Sequence, residues 1–535
     1  MPFAFTLPTT SALPLHACFT SPTHPSLPLS ASTHRGVLRD ALKKHKRLAR
    51  AAQAPHLPVL LAALNEYIPY LLALDAARRG QPVAGETVVV SEVTEPVVEW
   101  RTTLTATLPG REPPRVTLRG LQSEVAFVLS TLGYVHTLLA RAQLYTLHTA
   151  APATAEQRAA AIGAAMKHLL DSHSIHAHLL SRPSTTTQTP LDITPPTLTA
   201  LSELALAEAT LIAVQKDDPY PAASASLRDK SSKEWMYRAP CIPKVRAHLF
   251  ARLCLCAAEH ADKAHALLSA RPSSSSFSFS SPMPSASASA TPDDALQRYV
   301  RDLRRTARGH ACRFLGIDAE LAGRVGEALA WLRAARTEMG FVVGSGAGGG
   351  GERRGIEGLK RGVRERREDR RVERGEEWGM DAGRLEEGRV VEGLEGRWGR
   401  VNDTINTQAI PPYEPLLASL PSGREYHSPT PYRPPVLGRD VLVRMRGVEV
   451  RGAGLREGGD GGAGLRGGED TWLRGGEGAG DDGGRDGGGD SRDGGGRGGS
   501  GDRGEEGERG GNRGGGNGGG NRGGGVGEGG GEKYY

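Results

Sequence analysis

Leu121-Gln-Ser-Glu124-Val-Ala-Phe-Val128-Leu-Ser-Thr-Leu132-Gly-Tyr-Val135-His-Thr-Leu-Leu139 is the stretch on which the fold turns. Leu121, Val125, Val128, Leu132, Val135 and Leu139 recur at steps of three and four, while Gln122, Arg141 and Gln143 fall elsewhere. That spacing predicts one long helix with an apolar stripe turned to a core. The same period returns at Leu201, Leu204, Ala205, Leu211 and Ile212, and again at Val245, Leu249, Leu253, Cys256 and His260. A further pair of helices is expected from Tyr299, Leu303, Ala307, His310 and Phe314, then Leu321, Val325, Leu329 and Leu332. Between these helices, loops are expected near 183–196, 270–292 and 343–360, where proline, serine or glycine runs leave nothing to bury.

One region has the other period. Thr87-Val-Val-Val-Ser-Glu-Val93 and Val97-Val-Glu-Trp100-Arg-Thr-Thr-Leu104 are short β-branched runs parted by Glu95-Pro96, which predicts a small hairpin made of these two runs. The fold class is therefore mainly α with a minor sheet. Farther on, Val391, Leu394, Trp398, Val401 and Ile405 form a stripe that can pack a last helix despite nearby glycines. From Pro411 the chain is proline-punctuated, and after Arg446 it is glycine with scattered charge. Residues 1–425 are thus expected to form one helical domain and 426–535 a disordered Pro-rich, then Gly-rich tail.

Composition narrows the function classes. The 67 basic and 61 acidic side chains nearly cancel to +6 and are interspersed, so no strong polyanion partner is implied. The five cysteines form no spaced pairs of the metal or disulfide-framework kind, and reduced thiols in a cytosolic protein are expected. The first residues lack a basic leader and are broken by prolines, against a signal peptide. No stretch is read as a run of roughly 20 apolar residues, so a soluble protein is expected, with membrane association only peripheral.

Chemical motifs are few. Phe341-Val-Val-Gly344-Ser-Gly346-Ala-Gly-Gly349 spells an apolar run and G-x-G-x-x-G, but no strand precedes it and no apolar helix follows. It reads as a low-complexity loop. His168, His173, His176 and His178 cluster in one helix without an acidic or cysteine partner at a supporting spacing, and read as ordinary helix histidines. Cys254 and Cys256 are two apart and suit core packing better than one site. No nucleophile elbow, zincin motif or P-loop lysine occurs. Neither catalysis, cofactor nor metal is expected. Arg497-Gly-Gly, Arg509-Gly-Gly, Arg513-Gly-Gly and Arg522-Gly-Gly leave an RNA-associated protein acting through its tail as the alternative.

Several pieces, in order, resemble the BRO domain family, the helical, banana-shaped (TPR-like) module of the ESCRT adaptor Alix. They are Val98-Glu-Trp100, Glu124-Val-Ala-Phe-Val-Leu-Ser-Thr-Leu132, Ala205-Leu-Ala-Glu208, and Asn402-Asp-Thr-Ile405 followed by Ile410-Pro411. Leu27 to Lys46, Asn65 to Asp75, Lys233-Glu-Trp235-Met, Pro243 to Arg252 and Cys312 to Asp318 are similar to the fungal members that serve ambient-pH signalling. The resemblance implies a non-enzymatic adaptor that binds the polymerising ESCRT-III subunit and promotes proteolytic activation of the transcription factor PacC. It implies cytoplasmic residence, with recruitment to endosomes or plasma-membrane ESCRT sites and contact with other pH-signalling components. The partner would lay an amphipathic helix into a hydrophobic patch. Carried over by position, that patch is Leu211, Ile212, Ile242 and Val245.

Overall fold

The stripe at Leu121 lies on helix α4, and all six of its residues are buried. The computed structural model describes residues 1–106, 112–113, 115–149, 154–182, 189–221, 244–270, 291–341, 369–372 and 378–447. In chain order its elements are α1 (Leu15–Cys18), β1 (Phe19–Thr20), α2 (Ser26–Arg47), α3 (Arg50–Arg78), β2 (Ser91–Glu92), β3 (Val97–Arg101), β4 (Arg115–Arg119), α4 (Leu121–Thr149) and α5 (Ala155–Leu180). There follow a 3-10 turn (Leu191–Ile193), α6 (Pro195–Lys216), α7 (Lys244–Ser269), α8 (Asp294–Leu321), α9 (Val325–Glu338), α10 (Arg384–Val401), α11 (Glu414–Ala418) and α12 (Arg439–Met445). From α2 to α10 each long helix packs mainly against the one before and the one after it. The protein is mainly α, as its helical periodicity predicts.

Local signals set the helix ends. Thr154 caps α5 with a reciprocal box: its hydroxyl accepts from Gln157 N–H at 3.2 Å, and the Gln157 amide oxygen accepts from Thr154 N–H at 3.1 Å. Pro195 opens α6, where its missing donor is not needed. Helix α8 stops at Gly323, whose φ of +78° suits glycine, while Arg324 N–H bonds back to Ala319 O at 2.9 Å.

The sheet departs from expectation. Val97–Arg101 pairs antiparallel with Arg115–Arg119, setting Trp100 opposite Val116 and Val98 opposite Leu118. The Thr87–Val93 run is not its partner. Ser91–Glu92 pairs instead with Phe19–Thr20 near the start of the chain. Burial decides between the two: Val98 and Trp100 are fully enclosed, and Val116 and Leu118 supply the matching alternation.

Two further corrections concern apolar content. Arg50–Arg78, Leu121–His148 and Pro195–Lys216 are each long and apolar enough, by length and composition, to cross a membrane. At least half of each apolar window is packed inside the protein, which is what a helix between two neighbours requires. In α10, Val391, Leu394 and Trp398 are buried, but Val401 and Ile405 are not, Ile405 being 74% exposed. The α-helix gives way at Asn402, where the side-chain amide donates to Gln408 O and accepts from Gln408 N–H at 2.8 and 3.1 Å.

After α11 the chain runs back over the helices. Gly423 sits against the backbone of Cys256, so close that a Cβ there would lie 2.8 Å from Cys256 N and Cα. Arg424 N–H donates to Arg252 O at 3.1 Å, and Tyr432 meets the His178 ring edge-on. Leu437, Leu442 and Met445 are buried in the main core. The expected loops at 183–188, 271–290 and 342–360, the glycine motif at 344–349, the Lys233–Met236 piece, and the glycine-rich tail beyond Gly447 lie outside the described residues.

Candidate protein-binding site and the buried polar centres

Four of the family-like pieces meet at one buried point. Glu124, at the start of α4, accepts from Arg35 Nε at 2.8 Å, Trp100 Nε1 at 2.7 Å and the Tyr67 hydroxyl at 3.2 Å. Arg35 spends its other donors on Ser11 O and the Thr10 hydroxyl, each at 2.8 Å. A carboxylate with this many donors and no exposed surface joins α2, α3, β3 and α4.

A second centre lies on the α8–α10 side. Arg313 donates to Glu387 Oε1 and Asp218 Oδ2 at 2.5 Å each, and His310 Nε2 stands 2.8 Å from Glu387 Oε2. All four are buried. Burial alone would raise the Glu387 carboxyl, but Arg313 and His310 hold it down at about 2. The guanidinium also lies 4.4 Å from the Phe314 ring centre.

At the third, burial lifts the Glu208 carboxyl to about 7, even though Tyr299 donates to it at 2.6 Å and Phe3 N–H at 2.9 Å. Such perturbed groups often mark active sites; here both carboxyls are buried, and Glu208 Oε2 has no hydrogen-bond partner. Glu124, Glu208 and Arg313 lie inside the quoted pieces, and their signal was a charge set within an apolar stripe.

The candidate patch residues divide. Leu211 is 5% exposed and packs in the main core. Ile212 is 1% exposed and joins Ala140, Leu144, Ile162, Ala165, Leu169 and Ala209 in a second apolar cluster. As placed, both are interior to α6. Ile242 lies outside the described residues, and Val245 is on the first turn of α7 with its side chain undescribed.

The histidines behave differently from the reading of plain helix residues. His176 is buried against Gly133 with neither ring nitrogen partnered, and burial lowers it to about 4. His173 pairs with the Ser202 hydroxyl at 2.8 Å. His168 meets His136 of α4, with Asp171 beside them. An acidic partner is thus present, three residues along the same helix, correcting the expectation that none stood at a supporting spacing. Cys256 is buried, as core packing predicts, but it also stands beside His260 and Glu425. His260 is lowered by burial yet raised overall to about 10 by Cys256 and Glu203. Its Nδ1 is 2.5 Å from Glu203, so an imidazolium clip joins α6 and α7.

A pH dependence follows. His176 and His45 fall to about 4 and His136 to about 3, chiefly through burial. Depressed folded-state values give stability that is present above the ordinary 6.5 and lost as pH falls toward the folded values. Fully buried His176 alone should cost on the order of 2 kcal/mol by about pH 5. Glu208 opposes this, because its raised value favours the folded state below about 7. His260, raised to about 10, opposes it too, and the two together offset only part of the loss at the three histidines, so the unfolding free energy from urea titration should be lower at about pH 5 than at about pH 7.5 by roughly 1–2 kcal/mol. A higher midpoint at the acid pH would contradict this.

The stacked helices, tied by buried ion pairs, define a mainly helical domain. No protein-family model matches the chain. Over 479 residues, 84% of this chain and 92% of the relative, it is 44% identical to the pH-response regulator protein palC of Emericella nidulans. The chain belongs to the palC family of pH-response regulators.

Solved structures of similar outline are more distant. ALIX in complex with the SIVmac239 PYKEVTEDL late domain is 14% identical, with a TM-score of 0.48, the match covering 82% of this chain and 50% of that one. The chain thus spans half the length of that protein. The ALIX BRO1 CHMP4C complex is 14% identical, with a TM-score of 0.45 over 81% of this chain and 95% of that one.

Proposed function

We propose that this protein is a non-enzymatic adaptor in the response to ambient alkaline pH, acting on the route to proteolytic activation of PacC. The observation that carries the reading is the 44% identity to a pH-response regulator, sustained over 92% of that protein's length. The partner is the polymerising ESCRT-III subunit, offered as an amphipathic helix, and the support for it is the likeness of the quoted pieces to the BRO family. Its apolar face docks on the patch carried over by position, with Ile242 and Val245 as the contacts to test, because Leu211 and Ile212 are enclosed in the core. The adaptor works in the cytoplasm, at endosomal or plasma-membrane ESCRT sites, beside other pH-signalling components. The helical domain carries this role and the glycine-rich tail does not.

Deleting the gene in the host is expected to abolish growth at alkaline pH and processing of the transcription factor. Re-introduced chain ending at Arg446 should restore both. Normal alkaline growth and processing in the deletion strain would contradict the reading.

A further inference from the structure

His136 on α4 and His168 and Asp171 on α5 converge although 32 residues separate the two histidines. His136 Nδ1 is 3.1 Å from His168 Nδ1 and 3.6 Å from Asp171 Oδ2. One donor atom from each of the three residues lies within 4.8 Å of the other two. Zinc bonds of about 2.0–2.2 Å at a tetrahedral angle put neighbouring donor atoms roughly 3.3 Å apart. The two measured edges lie on either side of that value. His168 and Asp171 are three apart on one helical face, and His136 comes from the facing helix, which holds the three donors on rigid elements.

We propose that His136, His168 and Asp171 form a binding site for a divalent cation of the zinc class. Two imidazoles and one carboxylate are a borderline donor set that suits zinc or cobalt better than calcium or magnesium. Metal binding requires deprotonated ligands. Half-burial on all three leaves room for a water or partner group as the fourth ligand. A bound ion would pin the middle of α4 to the middle of α5.

The rival cluster, Cys256, His260 and Glu425, is the weaker candidate. His260 there already holds a proton between carboxylates, with Glu203 at 2.5 Å and Glu425 at 3.6 Å, so a metal would have to displace it.

The test uses the full chain, stripped of metal with a chelator and titrated with cobalt and then zinc. One cobalt per chain should bind, with visible ligand-field bands and no thiolate charge-transfer band, and zinc should displace it. His168→Ala and Asp171→Asn should each weaken binding more than about tenfold, while Cys256→Ser leaves it unchanged. Circular dichroism and melting checks folding; because the Asp171 side chain is 40% exposed, Asp171→Asn remains informative if His168→Ala misfolds. Absence of binding below millimolar metal, binding unaffected by Asp171→Asn, or binding that needs Cys256 would each overturn the proposal.

Discussion

Replacing Arg313 by methionine is expected to destabilise the protein by roughly 3–5 kcal/mol, the range for breaking a buried ion pair from one side. The size follows from what remains. Asp218 and Glu387 would keep their burial but lose the guanidinium that meets each at 2.5 Å, leaving Glu387 only His310 at 2.8 Å. Asp218 lies just beyond α6, Arg313 on α8 and Glu387 on α10, so the change loosens three helices at once. Against a total stability of about 5–15 kcal/mol, that is a large share. Adding Asp218→Leu and Glu387→Leu to Arg313→Met should recover part of the loss, because no charge is then stranded. Urea unfolding of the single and triple variants measures both. A loss below about 1 kcal/mol in Arg313→Met would show that these carboxylates find other partners.

Glu124→Leu should be comparably severe, again about 3–5 kcal/mol. Leucine resembles glutamate in bulk and leaves no large cavity, so the loss would be electrostatic. Arg35 would be left with Thr10 and Ser11, and the buried Trp100 N–H and Tyr67 hydroxyl would lose the acceptor they share. Arg35→Met should cost less, because Glu124 keeps its bonds from Trp100 and Tyr67. A double-mutant cycle between positions 35 and 124 should give a coupling of at least about 2 kcal/mol. Additive effects would contradict a shared centre.

Much of the helical frame was legible in sequence because a 3.6-residue period needs no knowledge of partners. The stripes at Leu121, Leu201, Val245 and Tyr299 each lie on one helix, and only Leu321, expected to open the next helix, instead ends the one before it. Strand pairing was not legible. Val88, Val89 and Val90 have strand character, but which strand Val97–Arg101 chooses depends on what encloses Trp100, and that is a tertiary matter. The polar centres were hidden for the same reason. Glu124, Glu208 and Arg313 are visible as charges in apolar stripes, yet their partners lie 89, 91 and 95 residues away.

Helix α6 is apolar around most of its circumference, with Leu198, Leu201, Leu204, Ala205, Ala207, Ala209 and Val214 all buried. An all-round apolar helix is interior, so Leu211 and Ile212 had a core reading available from the start. Aspartate at Ile212 would therefore test folding before it tested binding, so the proposed binding is better probed at Ile242 and Val245.

The central claim is settled most directly by titrating the full chain with a peptide of the C-terminal amphipathic helix from the host's polymerising ESCRT-III subunit. Ile242→Asp and Val245→Asp variants, with unchanged unfolding midpoints, are titrated beside it. Micromolar binding by the natural chain is expected, with its loss in both variants. No binding by the natural chain, or equal binding by all three, would contradict it.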